Sequence, residues 1–569
     1  MKYQFILIVF LCLSIFSNCK PGVEADLVLV NGNVYTLDKT KPNANSIAIK
    51  DGLIVEISVE DLTEKYNASS PEIIDLDGAF TMPGFIEGHG HFSGLGKSLI
   101  NLNFLKSKNW NEIVQMVADK AKTLEPGQWI EGRGWHQEKW DEAVENNILG
   151  YPFHDELSAL TPDNPVILFH ASGHGLFANK KAMDLAGINI ETPNPVGGEI
   201  VRDNNGNAIG VFEETAMRSI RQAYQYYLNS LDQKDLDDLW YEGIKLAEEE
   251  CLSKGITSFQ DAGSLFKEID MYKSLAEKGE LDVRLWAMVR HSYETLKDNM
   301  DGLPVIDHGN SFFTCRAIKA AVDGALGSYG AWLLKSYDDK ENFVGQNVSS
   351  IEELENIAKL AMQKDMQYCV HAIGDRGNRE VLDIMEKMFN ENPEKENLRW
   401  RVEHAQHLNP DDIPRFKEMG VIASMQGIHC TSDAPFVVKR LGKWRAKHGA
   451  YVWKSLLDQG ALIANGTDAP VEDVDPIPSF YASVTRKRID NGFEFFTEQK
   501  MTRAQAVYSY TMGNAFAAFE EDVKGSLEVG KFADIVVLSQ DLINCSDEEI
   551  LETEVLYTIV DGVLKYAKE

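Results

Sequence analysis

The chain has 569 residues, of which 44% are hydrophobic and 25% charged, a composition typical of folded proteins. This length exceeds one compact core of ordinary size, so we expect either two structural units or one barrel with additions. The formal net charge of −32 opposes binding to a phosphate backbone, and nucleic acid is therefore not an expected partner.

The first 19 residues are typical of an export signal. Met1 and Lys2 precede an apolar run from Phe5 to Leu13 that is too short to span a membrane. Cys19 follows like the lipidated cysteine of a lipoprotein, although Asn18 stands where a small residue is usual. We expect residues 1–19 to be a signal peptide and the protein to be exported to the periplasm or outer cell envelope. Cys19 would be a lipid anchor and the only membrane contact, with simple secretion as the alternative.

Short strand patterns occur near both ends of the chain. Residues 25–34 alternate around an Asn-Gly pair and residues 46–57 around Asp51-Gly52, while residues 533–539 and 555–566 show the same texture. Neither end has enough apolar residues for a core of its own. We therefore predict that 24–80 and 524–569 pack together as one small composite β-sandwich domain.

Residues 81–523 alternate apolar runs of strand length with amphipathic helical stretches, which is typical of βα units and a parallel sheet. The candidate strands are 82–89, 256–262, 283–289, 316–322, 367–373, 399–405, 421–426 and 461–467. Eight such units predict an α/β fold, a (β/α)₈ TIM-like barrel. An insertion at about 92–250, with strand-like pieces at 129–135 and 165–170, is expected to shape the pocket at the barrel mouth.

Candidate metal ligands stand at the carboxyl ends of four predicted barrel strands. His89 and His91 are two residues apart at the end of the first strand, so the pleat points both imidazoles the same way. His371 and His404 end the fifth and sixth strands, and Asp468 ends the eighth. One histidine on an apolar strand is usually a satisfied core residue, but this set, at the end of a barrel where enzymes keep their chemistry, indicates a metal site.

Lys319 lies in the middle of the predicted fourth strand, where its charge would be buried unless it is paired or chemically altered. From spacing alone it either extends its amine to solvent or pairs with Asp323.

Nine segments in order make the chain resemble the amidohydrolase superfamily, and within it amidohydrolase family 3, the group of N-substituted formamide deformylases and exoenzyme regulatory proteins. These segments are PGFIEGHGH, WIEGRGW, GITSFQDAG, IKAAVDGALGS, VHAIGDRGN, RVEHAQH, SMQGIH, ANGTDAPVED and KGSLEVGKFADIVVL. The resemblance covers nearly everything after residue 25.

The resemblance implies a two-metal site. His89 and His91 would bind one ion and His371 and His404 the other, with Lys319, carboxylated by CO₂, bridging them and Asp468 completing the site. Such a carbamate would replace a buried cation with an anionic oxygen ligand. Zinc is the metal expected from the ligand types, and iron or manganese would also fit.

The implied activity is hydrolysis of a non-peptide or amide-like carbon–nitrogen bond in a small molecule, by attack of metal-bound hydroxide. Asp468 would transfer the proton, and His174 would hold the substrate carbonyl or its oxyanion. Gln426 and His429 are further candidates for substrate binding, with a structural hydrogen bond as the alternative for both. Trp135 and Asp323 complete the candidate substrate residues, and a homodimer is the expected assembly if the barrel helices are exposed.

Three positions depart from the family pattern: Glu87 replaces aspartate, His136 replaces aspartate or asparagine, and Gly427 replaces proline. Glu87 bears on how the metal ligands are supported and removes none of them, whereas His136 and Gly427, which are expected to border the pocket, put the choice of substrate in doubt. Two alternatives stay open, a mononuclear deaminase of a ring amine and an inactive envelope binding protein. Gly374 stands where such deaminases usually carry glutamate, which favours the hydrolase.

Overall fold

A computed structural model describes residues 24–142 and 144–568. The predicted signal peptide 1–19 and its Cys19 lie outside these residues, so the export signal and the lipid anchor stay predictions. Within the described ranges, no helix combines the length and the apolar character needed to cross a membrane.

The centre of the molecule is a nearly closed parallel barrel, which confirms the predicted fold class. Its eight parallel strands follow one another in chain order around the sheet, with one short antiparallel strand, Val305–Asp307, added beside the fourth. The barrel strands are Phe85–Gly90, Ile256–Ser264, Arg284–Val289, Phe313–Ala321, Gln367–Ala372, Arg401–His404, Ile422–Gln426 and Ile463–Gly466. Each overlaps a strand predicted from the sequence.

Backbone hydrogen bonds just beyond the eighth strand join it to the first. The amide of Asp468 donates to the carbonyl of His89 at 2.7 Å, and the amide of His91 donates to the carbonyl of Ala469 at 2.7 Å. The two ends of the barrel sheet therefore meet at the candidate metal ligands.

Helices connect the barrel strands on the outside. They are Gln233–Ser253, Phe266–Lys278, Tyr293–Asn299, Ile351–Gln363, Asp375–Glu391, Ile413–Met419, Ala434–Gly449, Trp453–Asp458, Pro476–Thr485, Arg503–Ser509 and Met512–Ala517. Their apolar faces pack against outward-facing barrel residues in the largest hydrophobic core, which includes Phe259, Val370 and Trp400. This packing leaves the carboxyl ends of the strands free for polar side chains.

The insertion after the first strand has its own mixed sheet. The strand order is Gly198–Arg202, Ala208–Glu214, Gly175–Ala178, Val166–His170, Ile130–Trp135 and Leu102–Asn103. Its helices are Phe92–Ile100, Trp110–Ala121, Asp155–Leu160, Lys180–Leu185 and Met217–Leu228. The pieces predicted at 129–135 and 165–170 form two neighbouring parallel strands of this sheet.

Strands from both chain ends meet in a separate pair of sheets. One sheet has the order Leu53–Ser58, Ser46–Lys50, Leu27–Val30 and Glu72–Asp75; the other has the order Val563–Ala567, Val555–Val560, Ile535–Leu538, Phe80–Pro83, Asn33–Tyr35 and Asn43–Ala44. Leu29, Ile47, Ile535 and Ile559 share one core between them. The strand Phe80–Pro83 belongs to this pair of sheets, so the first segment of the chain that contributes to them extends to residue 83, slightly beyond the predicted boundary at residue 80.

Candidate active site

The predicted metal ligands converge at the carboxyl end of the barrel. His89, His91 and Asp468 offer ligand atoms that all lie within 4.8 Å of one another. The His91 Nε2 atom is 3.2 Å from Asp468 Oδ1, and His89 Nε2 is 3.7 Å from the same oxygen. His89 and Asp468 are buried, whereas the His91 side chain is 31% exposed. This triad is the part of the site best arranged to hold a cation.

His371 and His404 lie beside the triad. The ring of His404 is centred 4.6 Å from that of His89 and 4.4 Å from that of His371. His404 Nδ1 is 2.8 Å from Gln426 Oε1 and 3.9 Å from Asp468 Oδ2. The structure therefore brings together the four histidines and the aspartate predicted from the sequence.

Lys319 reaches this cluster without an ion pair. Its Nζ atom is 3.4 Å from His89 Nε2 and the residue is 3% exposed. No carboxylate in the described ranges lies within salt-bridge distance of Lys319 Nζ. Lys319 therefore neither forms an ion pair with Asp323 nor extends its amine to solvent. Burial lowers the pKa of this amine to about 8. Lys319 is therefore a buried amine without a carboxylate partner among the described residues.

Glu403 fixes the orientation of His89, a role that the sequence did not reveal. Its carboxylate contacts His89 Nδ1, which leaves Nε2 facing Lys319 and Asp468. Burial would raise the pKa of Glu403, but the charge of His89 and their hydrogen bond lower it to about 2. An ionised acceptor on Nδ1 sets the tautomer in which Nε2 has a free lone pair.

The backbone bends where these side chains gather. His404 has φ 76° and Asp468 has φ 61°, both in the left-handed region that non-glycine residues rarely adopt. Alternation along a strand would point Glu403 and His404 to opposite faces, yet both reach His89. Each such conformation costs on the order of 1 kcal/mol and persists where the surroundings enforce it, commonly at active sites.

Glu87, which departs from the family pattern, joins the first and eighth strands. Its carboxylate accepts hydrogen bonds from the Thr467 amide at 2.7 Å and from the Thr467 hydroxyl at 3.0 Å. Burial raises the pKa of Glu87 to about 8. The longer glutamate side chain therefore still supports the segment that carries Asp468.

A cavity of about 1140 Å³ opens above the cluster, between the barrel mouth and the insertion. His174 lines it, with Nδ1 2.9 Å from Glu214 Oε2 and its ring 5.0 Å from that of His371. Burial would lower the pKa of His174, but the charge of Glu214 and their hydrogen bond raise it. His174 is thus held as a hydrogen-bond donor facing the cavity.

The other candidate substrate residues differ in position. His429 and His136 line the cavity, and His429 Nδ1 pairs with Gln406 Nε2 at 2.9 Å. The lining does not include Gln426, which contacts His404, or Trp135, whose indole nitrogen donates to the Leu168 carbonyl at 2.9 Å within the insertion.

Asp323 is also absent from the cavity lining. It is fully buried and accepts hydrogen bonds from the amides of Ile373, Gly374 and Trp332. Burial raises its pKa to about 7. Its Oδ1 atom is 3.7 Å from His371 Nε2, beyond hydrogen-bond distance, so Asp323 holds the backbone beside His371 and does not contact the cavity.

Comparison with known proteins places this site in a family. The amidohydrolase family model matches residues 72–566. The chain is 30% identical to the protein LONG AFTER FAR-RED 3 of Arabidopsis thaliana, over 96% of this chain and 92% of that protein. It is 26% identical to the N-substituted formamide deformylase of Arthrobacter pascens, over 95% and 98%. The crystal structure of an uncharacterized metal-dependent hydrolase from Pyrococcus furiosus has a TM-score of 0.69 at 27% identity, covering 91% of this chain and 100% of that one.

These matches agree with the resemblance seen in the sequence motifs and with the barrel that carries the histidine cluster. A metal-dependent hydrolase is the kind of enzyme that the fold, the candidate triad and the relatives support together. The chain belongs to the amidohydrolase family.

Proposed function

We propose that the protein hydrolyses a carbon–nitrogen bond, other than a peptide bond, in an amide-like small molecule. The observation that carries this proposal is the convergence of His89, His91 and Asp468 with the unpaired Lys319 beneath one large cavity. Similarity to a formamide deformylase supports the choice of bond.

The donor set fits divalent metal ions. Asp468 Oδ1 and His371 Nε2 are buried and have no hydrogen-bond partner in the described parts of the chain, although such atoms are costly to leave unpaired. We assign one ion to His89 and His91 and a second to His371 and His404, with Asp468 completing the set. Buried imidazoles with a carboxylate favour zinc. Ions bound there would lower the pKa of water and polarise a carbonyl group.

Lys319 would bridge the two ions as a carbamate. The neutral amine adds to CO₂ and loses one proton, which converts an unpaired buried base into an anion. The absence of a carboxylate within ion-pair distance of Nζ, in the ranges the structure covers, supports this assignment.

Two side chains are placed to handle the substrate. Asp468 would accept a proton at Oδ1 from the attacking water and deliver it to the leaving nitrogen. His174, held by Glu214, would donate a hydrogen bond from Nε2 to the carbonyl oxygen as negative charge develops there. Asp468 belongs to the barrel mouth and His174 to the insertion, so these two parts of the chain supply both roles.

The test is hydrolysis of a panel of N-substituted formamides, amides and cyclic imides by metal-loaded protein, with metal content measured on the same sample. We expect bound metal, and a loss of turnover of about 10²–10⁴-fold in Asp468→Asn. Asp473→Asn is the matched control because Asp473 is exposed and outside the cavity lining. Metal-free protein that is fully active, or an unimpaired Asp468→Asn, would overturn the proposal.

The same panel separates the alternatives. Ammonia release from ring amines without cleavage of any amide would indicate a deaminase. Tight binding of ligands with no turnover of any compound would indicate a binding protein.

A further inference from the structure

Positively charged side chains line the cavity above the candidate metal ligands, whereas the chain as a whole is acidic. Four arginines line the cavity, namely Arg133, Arg218, Arg221 and Arg290, although the chain as a whole has a formal net charge of −32. A group of cations in a concave site attracts anions even when the overall charge is negative, because the cavity walls focus the local field.

Arg290 directly follows the third barrel strand, so its side chain starts at the barrel mouth. A methyl group added at Gly263 would lie 2.9 Å from Arg290 Cδ, so glycine at this position, with φ 140°, leaves room for the arginine stem. Arg290 lines the same cavity as Lys319 and His371. A substrate bound at the candidate metal ligands would therefore share that cavity with the Arg290 side chain.

Arg218 and Arg221 come from the insertion. They lie three residues apart on the helix Met217–Leu228, which places them on one face. The guanidinium of Arg221 also lies over the Phe169 ring, 5.2 Å from its centroid. The wall opposite the barrel thus presents two further cations to the same space.

In the described ranges, no carboxylate lies within salt-bridge distance of the guanidiniums of Arg218, Arg221 and Arg290. Among residues 24–142 and 144–568, no side-chain hydrogen bond or salt bridge engages Arg218, Arg221 or Arg290. Burial, and next the charge of Arg290, lower the pKa of Arg221, whereas the charges of Glu214 and Glu131 raise it without forming an ion pair. Holding like charges together without a counterion is unfavourable, and a bound anion would relieve it.

Five acids line the cavity, and three of them pair with other side chains of the protein. Glu214 pairs with His174 at 2.9 Å, Glu472 pairs with Lys139 at 2.6 Å, and Asp433 accepts the Tyr451 hydroxyl at 2.6 Å. Of the other two, Glu353 accepts a hydrogen bond from the Tyr293 amide at 3.3 Å, and Asp468 belongs to the candidate metal site.

We propose that this cavity binds an amide-like substrate through a free carboxylate, held by Arg290 and Arg221 at a distance from the bond that is cut. The inference rests on the proposed function and narrows its substrate class. A guanidinium presents two parallel N–H donors that match the two oxygens of a carboxylate, and such charged pairs are among the strongest hydrogen bonds in proteins. The carboxylate would fix which end of the molecule points towards the metal cluster.

The experiment compares N-formyl and N-acetyl amino acids with their own carboxamides, which differ only in the charged group. Pairs built on glycine and on both enantiomers of leucine and phenylalanine are assayed with metal-loaded enzyme. We expect kcat/KM to be at least about tenfold higher for the acids. Arg290→Gln and Arg221→Gln should each lower kcat/KM for the acids about tenfold or more and change that for the carboxamides less than about threefold.

Arg376→Gln is the control, because Arg376 is exposed outside the cavity lining and the change removes the same charge. It should leave the preference for acids intact. Arg290→Lys keeps the charge but loses the paired donors, so an intermediate preference is expected. Melting temperature and metal content show whether each variant is folded and loaded.

Direct binding by calorimetry separates this inference from the proposed function. If nothing is hydrolysed but the acids bind more tightly than the carboxamides, and only in the presence of Arg290 and Arg221, the inference stands and the proposed reaction fails. If carboxamides are hydrolysed as fast as acids, or if both arginine variants slow the two members of a pair equally, the inference is wrong while the reaction stands. If the acids neither bind nor react, the inference is also wrong.

Discussion

Glu403 shows how one side chain outside the set of candidate ligands shapes the metal cluster. It contacts His89 Nδ1 and thereby directs Nε2 towards Lys319 and Asp468. Partners of this kind orient a ligand and raise its basicity without touching the metal. We therefore expect a substitution of Glu403 to weaken metal binding more than it destabilises the fold.

We predict that Glu403→Gln weakens metal affinity or activity about 10–100-fold, because the neutral amide fixes His89 less firmly. Metal content after dialysis against a graded chelator and kcat/KM of the reloaded enzyme measure the effect. Glu418→Gln is the matched control, since Glu418 is exposed on the helix Ile413–Met419. Unchanged metal retention in Glu403→Gln would contradict the assigned role.

The convergence of the candidate metal ligands could be predicted from the sequence, but the contact of Glu403 with His89 could not. His89, His91, His371, His404 and Asp468 stand in short motifs at strand ends, and position alone suggested their convergence. Glu403 was missed because strict alternation would point it away from His404, and the left-handed backbone at His404 leaves no mark in the sequence. The cavity arginines belong to no motif either, since only the packing of the insertion brings them to the barrel mouth.

Glu213, in the insertion sheet, gives a pH dependence that can be tested. Burial raises its pKa to about 8, and it accepts the Tyr151 hydroxyl at 2.6 Å. Between its unfolded pKa, near 4.5, and about 8, the folded protein binds the extra proton, so stability falls as pH rises through this range.

We therefore predict that Glu213→Gln flattens the decline of melting temperature between pH 5 and pH 8, which in the unaltered protein corresponds to on the order of a few kcal/mol. Glutamine keeps the acceptor for Tyr151 but cannot ionise. Glu156→Gln, on an exposed insertion helix, serves as the control. Parallel pH profiles for all three proteins would argue against a neutral Glu213 in the fold.

At the scale of secondary-structure elements, the insertion is attached by a close contact between two helices. Gly96 lies on the helix Phe92–Ile100 and Gly243 on the helix Gln233–Ser253. A methyl group added at Gly96 would lie 2.1 Å from the Gly243 carbonyl oxygen. A methyl group at Gly243 would lie 3.3 Å from the nearest atom of Gly96. The two backbones therefore touch where the insertion leaves and rejoins the barrel.

We predict that Gly96→Ala destabilises the protein by about 1–3 kcal/mol, because the helices must separate, even though alanine favours helix. Gly243→Ala should cost less, since the gap there is wider. Thermal unfolding of both variants measures the difference. If Gly96→Ala is as stable as the unaltered protein, the helices adjust without cost and the prediction is wrong.

The sequence predicted the elements better than their packing. All eight barrel strands and two strands of the insertion were identified from apolar runs of strand length. The two-residue strands, such as Asn43–Ala44 and Leu102–Asn103, were not, because such short pairings depend on a neighbouring strand rather than on a local pattern. The Gly96 contact was also invisible, since it joins residues far apart in the chain.

At the scale of the whole molecule, a buried arginine connects the barrel to the sheets made from the chain ends. Arg284 starts the third barrel strand and is 1% exposed. Its Nε atom donates to Asp534 Oδ2 at 2.9 Å, and Nη2 donates to Asp561 Oδ1 at 2.8 Å. The guanidinium also lies between the rings of Phe312 and Phe532.

We predict that Asp534→Ala destabilises the protein by about 3–5 kcal/mol, because it leaves a buried cation short of its partner. Since these groups are shielded from solvent, the loss should persist in 0.5 M salt. Asp547→Ala is the control: Asp547 pairs with Arg503 at the surface, where salt bridges contribute little. Similar losses for both variants would mean that the buried pair does not hold the two parts together.

The seam of the barrel has a consequence for how the enzyme matures. Asp468 lies where the last strand docks against the first. Backbone hydrogen bonds there join Asp468 to His89 and Ala469 to His91. A nascent chain synthesised up to residue 460 would already contain every candidate histidine. It would lack the eighth strand, which closes the barrel, and Asp468, which follows that strand. In the proposed reaction such a chain would lack the residue that transfers the proton, so hydrolysis would begin only after the last strand has docked against the first.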